Sequence, residues 1–328
     1  MEAIRKQLSR LSLGEKTVFE NMTMFAIEGN SQAALDYLTL SEAIRLGVAR
    51  VSEISAMGSV PELLFKNMAD LPVLILDGEE LVGAKQNRTV NLTILAPAGK
   101  RIKIPVSCVE AGRWRRESTH FEMSDRCHFA LGRAIKTEAV SQSLHRDGSR
   151  QSDQGRVWAD ISAKAARMGA PSATQAMAEI FDRHRTSIER FVEAFKVADG
   201  QTGALFAIGS TIVGLDLFDR SSTLSAVLPK LVRSYAIDAI DSGGREGEKA
   251  KKKDARAFLS KMAEAEIESF DAIGLGLDLR LSGPSLVGGG LAVDDQLVHI
   301  AAFAMVDEAT QRRGMARMST RRSGYRQR

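Results

Sequence analysis

The chain has 328 residues, 44% of them hydrophobic and 26% charged, with a formal net charge of +4. That is the composition of an ordinary globular protein, long enough for one large domain or two smaller ones. With only Cys108 and Cys127 it is not a disulfide-stapled secreted scaffold. No apolar run approaches the roughly 18 residues that span a bilayer. The N-terminus lacks the apolar centre of a signal peptide, so a cytoplasmic protein without membrane contact is expected.

In chain order, Ile4, Leu8 and Leu11 space a short amphipathic helix, and residues 1–18 are read as an N-terminal helical segment. Phe19 to Ile27 reads as a first strand, closed by Glu28-Gly29-Asn30. Leu38 to Ile54 opens as a strand, holds a short helical turn, and ends in the alternating VARVSEI of a sheet with one wet face. Val73 to Leu76 is apolar on both faces, and Asp77-Gly78 predicts a tight hairpin returning through one long strand from Leu81 to Ile94. After Pro97-Ala98-Gly99, Arg101 to Val109 makes a third strand.

Residues 113–154 are polar and are expected to form a mobile loop, with a short helix at most around Phe129 to Val140. Four longer helices follow, over Val157 to Met168, Ser172 to Lys196, Ser222 to Ile240 and Arg245 to Ile273. Gly203 to Phe218 matches the pattern of the Asp77-Gly78 segment, which suggests two related β units. Leu275 to Phe303 returns to alternation and predicts three late strands that join the earlier sheet. The expected fold is α+β: a mixed, largely antiparallel sheet core of two related β units with about four helices, in a single large domain over 19–306. Residues 307–328, with seven arginines, are expected to form a basic flexible tail.

The run DGEELVGAKQNR followed by IPVSCVEAGRW resembles the signature of the ARPP family, the ADP-ribosylglycohydrolase- and rhodanese-phosphatase-associated protein domain. GALFAIGSTIVGLDLFD with LPKLVRSYAIDA, and then GLAVDDQLVHIAAF, are similar to that family's later blocks, so the resemblance covers roughly residues 20 to 306. It implies a link to NAD and ADP-ribose metabolism, and it brings no assigned catalytic residues or cofactor.

The candidate ligand-binding residues are Lys85, Gln86, Asn87, Arg88, Asn91 and Trp114. A lysine, an arginine and amides supply many donors and few acceptors, which suits phosphate or carboxylate. The rival reading is a buried network closed by Glu79, Glu80 or Glu110. Cys108 is either a nucleophile activated by nearby basic groups or a small buried hydrophobe, and Glu110 either a general base or an ion-pair partner. Cys127, His128 and His120 do not match a zinc spacing, so no metal is expected. Two functions follow as expectations: binding, with or without processing, of an ADP-ribose-like or other phosphorylated nucleotide, or a non-catalytic module that docks a partner protein. The arginine tail adds weak, sequence-independent affinity for nucleic acid.

Overall fold

The computed structural model describes residues 1–29, 35–55, 59–115, 118–243 and 248–305. The arginine-rich tail lies outside the described residues. In chain order the first half holds α1 (Glu2–Ser9), β1 (Ser12–Phe19), β2 (Met22–Glu28), β3 (Leu38–Thr39), α2 (Leu40–Arg45), β4 (Ala49–Ser52), β5 (Glu62–Asn67), β6 (Val73–Ile75), β7 (Glu79–Gly83), β8 (Arg88–Val90), β9 (Ile94–Ala96), β10 (Arg101–Cys108), β11 (Phe121–Cys127) and α3 (Ala130–Asp147). The second half holds α4 (Gln154–Met168), α5 (Met177–Arg183), α6 (Arg185–Ala194), β12 (Gln201–Ile208), β13 (Thr211–Phe218), α7 (Ser221–Asp241), α8 (Lys252–Glu264), β14 (Glu266–Asp271), β15 (Leu277–Gly283), β16 (Leu286–Val293) and β17 (Gln296–Ala304). The α+β class is as expected, with eight helices among the described residues where about four were anticipated. None of them is long and apolar enough to cross a membrane.

Three sheets organise these elements. An eight-stranded sheet runs β1-β2-β12-β13-β17-β16-β15-β14, antiparallel throughout. A closed barrel runs β10-β5-β4-β11-β7-β8, and a small sheet runs β3-β6-β9. The large sheet is covered on both faces, which is why its strands carry nearly continuous apolar runs. Phe206, Phe218 and Phe303 pack with Phe129, just before α3, and with the helical residues Phe191, Leu231 and Tyr235 in one cluster. Phe25, Leu205, Leu215 and Ile300 pack with Ile4 and Leu8 of α1 and Phe258 and Met262 of α8 in another. The barrel has its own filling of Val51, Phe65, Leu81, Val90, Ile104, Val106 and Phe121.

Several expectations need correction. The N-terminal segment is not helical to residue 18: α1 stops at Ser9, and Ser12–Phe19 is an edge strand turned into β2 at Glu20, whose φ is 49°. As an edge strand with mostly accessible side chains it has no apolar alternation to read. Asp77-Gly78 is not a hairpin turn either. β6 pairs with β3 and β9, whereas β7 pairs with β11 and β8, so the dipeptide carries the chain from the small sheet into the barrel. Gly203–Phe218 does form a hairpin, so the pattern the two stretches share does not extend to their pairing.

Residues 113–154, expected as a mobile loop, contain the barrel strand β11 and the 18-residue helix α3. Each buries charged side chains in ion pairs, Arg126 in β11 and Arg133 and Lys136 in α3, which the composition rule for loops does not anticipate. The helix expected over Ser172 to Lys196 is broken at His184 into α5 and α6. The one expected to Ile273 ends at Glu264 and gives way to β14. The late strands join the large sheet as anticipated, through β17 on β13.

Gly78 is held at φ 87°, and a Cβ there would lie 2.9 Å from Cδ of Arg133. Gly78→Ala is therefore expected to cost roughly 1 kcal/mol for the backbone alone, read as a lower unfolding midpoint in urea with an unchanged denaturant slope.

Candidate functional site

The predicted ligand-binding run is a loop rather than a strand. Gly83 at φ 120° and Ala84 at φ 44° take the chain out of β7, and residues 84–87 form the connection to β8. Asn87 is closed in: its N–H donates to Oε2 of Glu110 (3.1 Å), and its Oδ1 accepts from the Gly83 N–H (3.1 Å) and Nη2 of Arg113 (3.1 Å). Glu110 is saturated as well. Its Oε2 accepts from Nε of Arg113 (2.8 Å) and its Oε1 from Oγ1 of Thr174 (2.8 Å). Burial alone would raise its pKa, but the bonds from Arg113, Thr174 and Asn87 hold the carboxyl below its ordinary value. Such a carboxylate is an anchor rather than a proton acceptor, and its ion-pair partner is Arg113, not Lys85.

Arg88 differs. In the register Cys108↔Arg88 and Val106↔Val90, its side chain leaves the strand on the same side as Val90, into the barrel. Ala49 and Val51 alternate into the same interior, and Glu53 continues that face just beyond β4. Nη1 of Arg88 donates to Oε1 of Gln86 (2.7 Å), as does Sγ of Cys108 (3.0 Å), while Nε2 of Gln86 donates to the Glu110 carbonyl (2.9 Å). Arg88 is fully buried, yet its Nε and Nη2 have no hydrogen-bond partner, nor do the two carboxylate oxygens of Glu53 or Nε1 of Trp158, among the described residues. Burial pulls the Arg88 pKa down, opposed by Cys108 and Glu53.

At the outer side, the Trp114 ring is half exposed and sits 5.1 Å from Nζ of Lys85 and 5.7 Å from Cζ of Arg88. Cys108 is buried, and burial pushes its thiol up despite Arg88, so it stays protonated at neutral pH, unlike reactive cysteines. Cys127, deeper still, is pushed up to about 12.

A second polar cluster lies where barrel and large sheet meet. Arg133 of α3 forks onto Asp216 with Nη2 (2.6 Å) and Nη1 (3.2 Å) and reaches Asp77 with Nε (3.2 Å). Lys136, one helical turn on, donates to the other oxygen of Asp77 (2.5 Å) and to the Val90 carbonyl. Asp216 also accepts from Oη of Tyr235 (3.1 Å). Burial alone would raise the Asp216 pKa, but Arg133 and His299 hold the carboxyl far below the ordinary range. Asn91, predicted to join Arg88, belongs to this side instead. It donates to the Arg150 carbonyl (3.0 Å), accepts from Oγ of Ser107 (2.6 Å), and lines a small cavity with Asp77, Thr93 and Arg280.

A family model matches residues 10–303: ARPP-1, described as ARG and Rhodanese-Phosphatase-superfamily-associated Protein domain. The chain belongs to this family. A search of curated proteins and a search of solved structures gave no match. The ARPP-1 match takes in the barrel, the large sheet and both polar clusters.

Within this ARPP-1 chain, Lys85, Gln86, Asn87, Arg88, Cys108, Glu110 and Trp114 are brought together, and Asn91 is not. Glu53, Arg113, Gln154 and Trp158 were missed. Gln154 bonds both backbone groups of Cys108 as a neighbouring strand would, with Oε1 accepting at 2.7 Å and Nε2 donating at 2.8 Å. Nothing in the local pattern marks Glu53 beyond its place in the alternation of VARVSEI. Among the described residues no group of three or more His, Cys, Asp or Glu is placed to hold a metal ion.

Proposed function

We propose that this ARPP-1 chain binds a phosphorylated nucleotide of the ADP-ribose kind at the barrel end formed by Glu53, Arg88 and Trp114. The supporting observation is the pair of open hydrogen-bonding groups in a buried place: two guanidinium N–H positions on Arg88 and two carboxylate oxygens on Glu53. Leaving such groups unmatched costs about 1–3 kcal/mol each, and more when they are charged. A ligand that carries both acceptors and donors meets that demand. Phosphate oxygens accept from Arg88, ribose hydroxyls donate to Glu53, and an adenine face stacks on Trp114. The reading is one of binding, since the Cys108 thiol is held protonated and the Glu110 carboxylate is fully engaged.

Thermal shift and titration calorimetry with ADP-ribose, NAD, AMP and ribose 5-phosphate test this. Trp114→Ala removes the ring beside Lys85 and Arg88 and should lower the apo melting temperature slightly, while weakening nucleotide binding about tenfold, the value of one stacked base. Each of the four carries a ribose, so Glu53→Gln should weaken all of them and leave the binding of inorganic phosphate or pyrophosphate unchanged. If none of the four compounds stabilises the wild-type protein, the proposal is wrong.

A further inference from the structure

The small cavity at the barrel–sheet junction is walled by Asp77, Asn91 and Thr93 from the barrel side, Thr137 of α3, Arg280 of β15 and Gly289 of β16. It holds about 10 Å³, close to what one water-sized sphere needs. Arg280 is 3% exposed; its Nη2 donates to Oδ1 of Asp278 (2.7 Å), but its Nε has no partner. Arg150 holds the other oxygen of Asp278 (3.3 Å). Asp77 brings no free negative charge to the cavity, because Arg133 occupies one of its oxygens and Lys136 the other.

Charge counting gives the polarity of this place. The side chains form two networks: Arg133 and Lys136 balance Asp77 and Asp216, whereas Arg150 and Arg280 share Asp278. The second network therefore has one positive charge in excess, shared between the buried Arg280 and the partly exposed Arg150, and an uncompensated buried charge is costly. Lys136 registers the same surroundings: burial lowers its pKa, and Arg133 adds to the lowering against the pull of Asp77.

We propose that the cavity is a binding site for one small monovalent anion of the halide class, held by the Arg280 guanidinium and neutralising the junction. Phosphate, carboxylates and nucleotides are too large for it, so the site is independent of the nucleotide reading above. Gly289 is what leaves the space: a Cβ there would sit 3.0 Å from Nη1 of Arg280. Its backbone is not among those with positive φ, so alanine is tolerated by the chain while encroaching on the site.

The test compares melting temperatures of the full chain in sodium chloride, bromide and gluconate at constant ionic strength. Saturable stabilisation by the halides of about 2 °C is expected, the size of a single weak ligand binding the native state. Gly289→Ala and Arg280→Gln should each remove the halide dependence, the first while keeping a cooperative transition. Bromide in a crystal should give an anomalous peak beside Arg280. Equal melting temperatures in halide and gluconate, or a water without anomalous signal in the cavity, would overturn the proposal.

Discussion

Arg133→Met is expected to lower the free energy of unfolding by about 3–5 kcal/mol, the usual cost of breaking a buried ion pair by removing one partner. Arg133 is 1% exposed and bridges Asp77, at the entry to the barrel, with Asp216, in the middle of the large sheet. Burial works against its charge, yet Asp216 and Asp77 raise its pKa well above the ordinary arginine value, so the ionised form is strongly bound. Its removal leaves Asp216 with Tyr235 and His299 only, and Asp77 with Lys136 as its remaining ion partner. Methionine fills the space and keeps contact with Phe303, whose ring lies 5.1 Å from the guanidinium carbon. The loss is thus electrostatic rather than a cavity effect. Arg133→Met combined with Asp216→Asn should cost clearly less than the two single changes added together, because the second removes the charge the first leaves bare. Urea unfolding of the four proteins measures both quantities. A single-variant cost below about 1 kcal/mol would mean the junction is hydrated and the ion pair marginal.

The same residues explain what could be read in the chain beforehand. The three late strands were legible because LGLDLRL and LAVDDQLVHIAAF alternate with period two and are separated by short turns. The barrel's closure was not, because it depends on β11 pairing with both β4 and β7, and β11 (FEMSDRC) has the composition of a loop. Glu122 and Asp125 face solvent, while Arg126 is buried and reaches Glu80 at 2.5 Å and Asp182 at 3.0 Å. A signal did exist in α3, where Arg133 and Lys136 stand three apart within ALGRAIKTEAV, and in the strand GLDLF around Asp216. A lone charge in an apolar strand and a cationic pair on one face of an apolar helix are each costly to bury alone. Together they announce one another. In the candidate site, the donors Gln86, Asn87 and Arg88 were visible as a polar interruption of an apolar run. Their division into a sealed part, Asn87 with Glu110 and Arg113, and an open part, Arg88 facing Glu53, depends on a reversal at Gly83 and Ala84 that a period-two reading cannot contain.

Acidification below about pH 6.5 is expected to destabilise the protein through His128. The ring is fully buried, packs at a tilt against Phe129 with centroids 4.4 Å apart, and has no hydrogen-bond partner at either nitrogen among the described residues. Burial, reinforced by Lys136, Arg133 and Lys164, sets its pKa well below 6.5. In the unfolded chain the imidazole takes up a proton as pH falls through about 6.5; in the native state it does not. Below that pH the unfolded state binds more protons, so stability falls as pH falls, by about 1.4 kcal/mol per unit. Between about pH 6.5 and 5 the loss amounts to roughly 2 kcal/mol. Asp216, Glu110 and Asp241, whose pKa values are depressed, contribute with the same sign only as pH approaches their unfolded values near 4. Glu80, Asp160 and Asp278, whose carboxyls burial pushes up, act with the opposite sign, so the histidine is isolated by comparison with a variant that lacks it. His128→Leu forfeits the contact with Phe129 and lowers stability at every pH, but its profile across that window should be flatter by the histidine's share. The backbone at this position is fixed on both sides, by its N–H to the Gly78 carbonyl (2.7 Å) and by Ser234 Oγ to its own carbonyl (2.6 Å), so the variant keeps its place between the barrel entry and α7. Parallel pH profiles for wild type and His128→Leu would assign the acid sensitivity elsewhere.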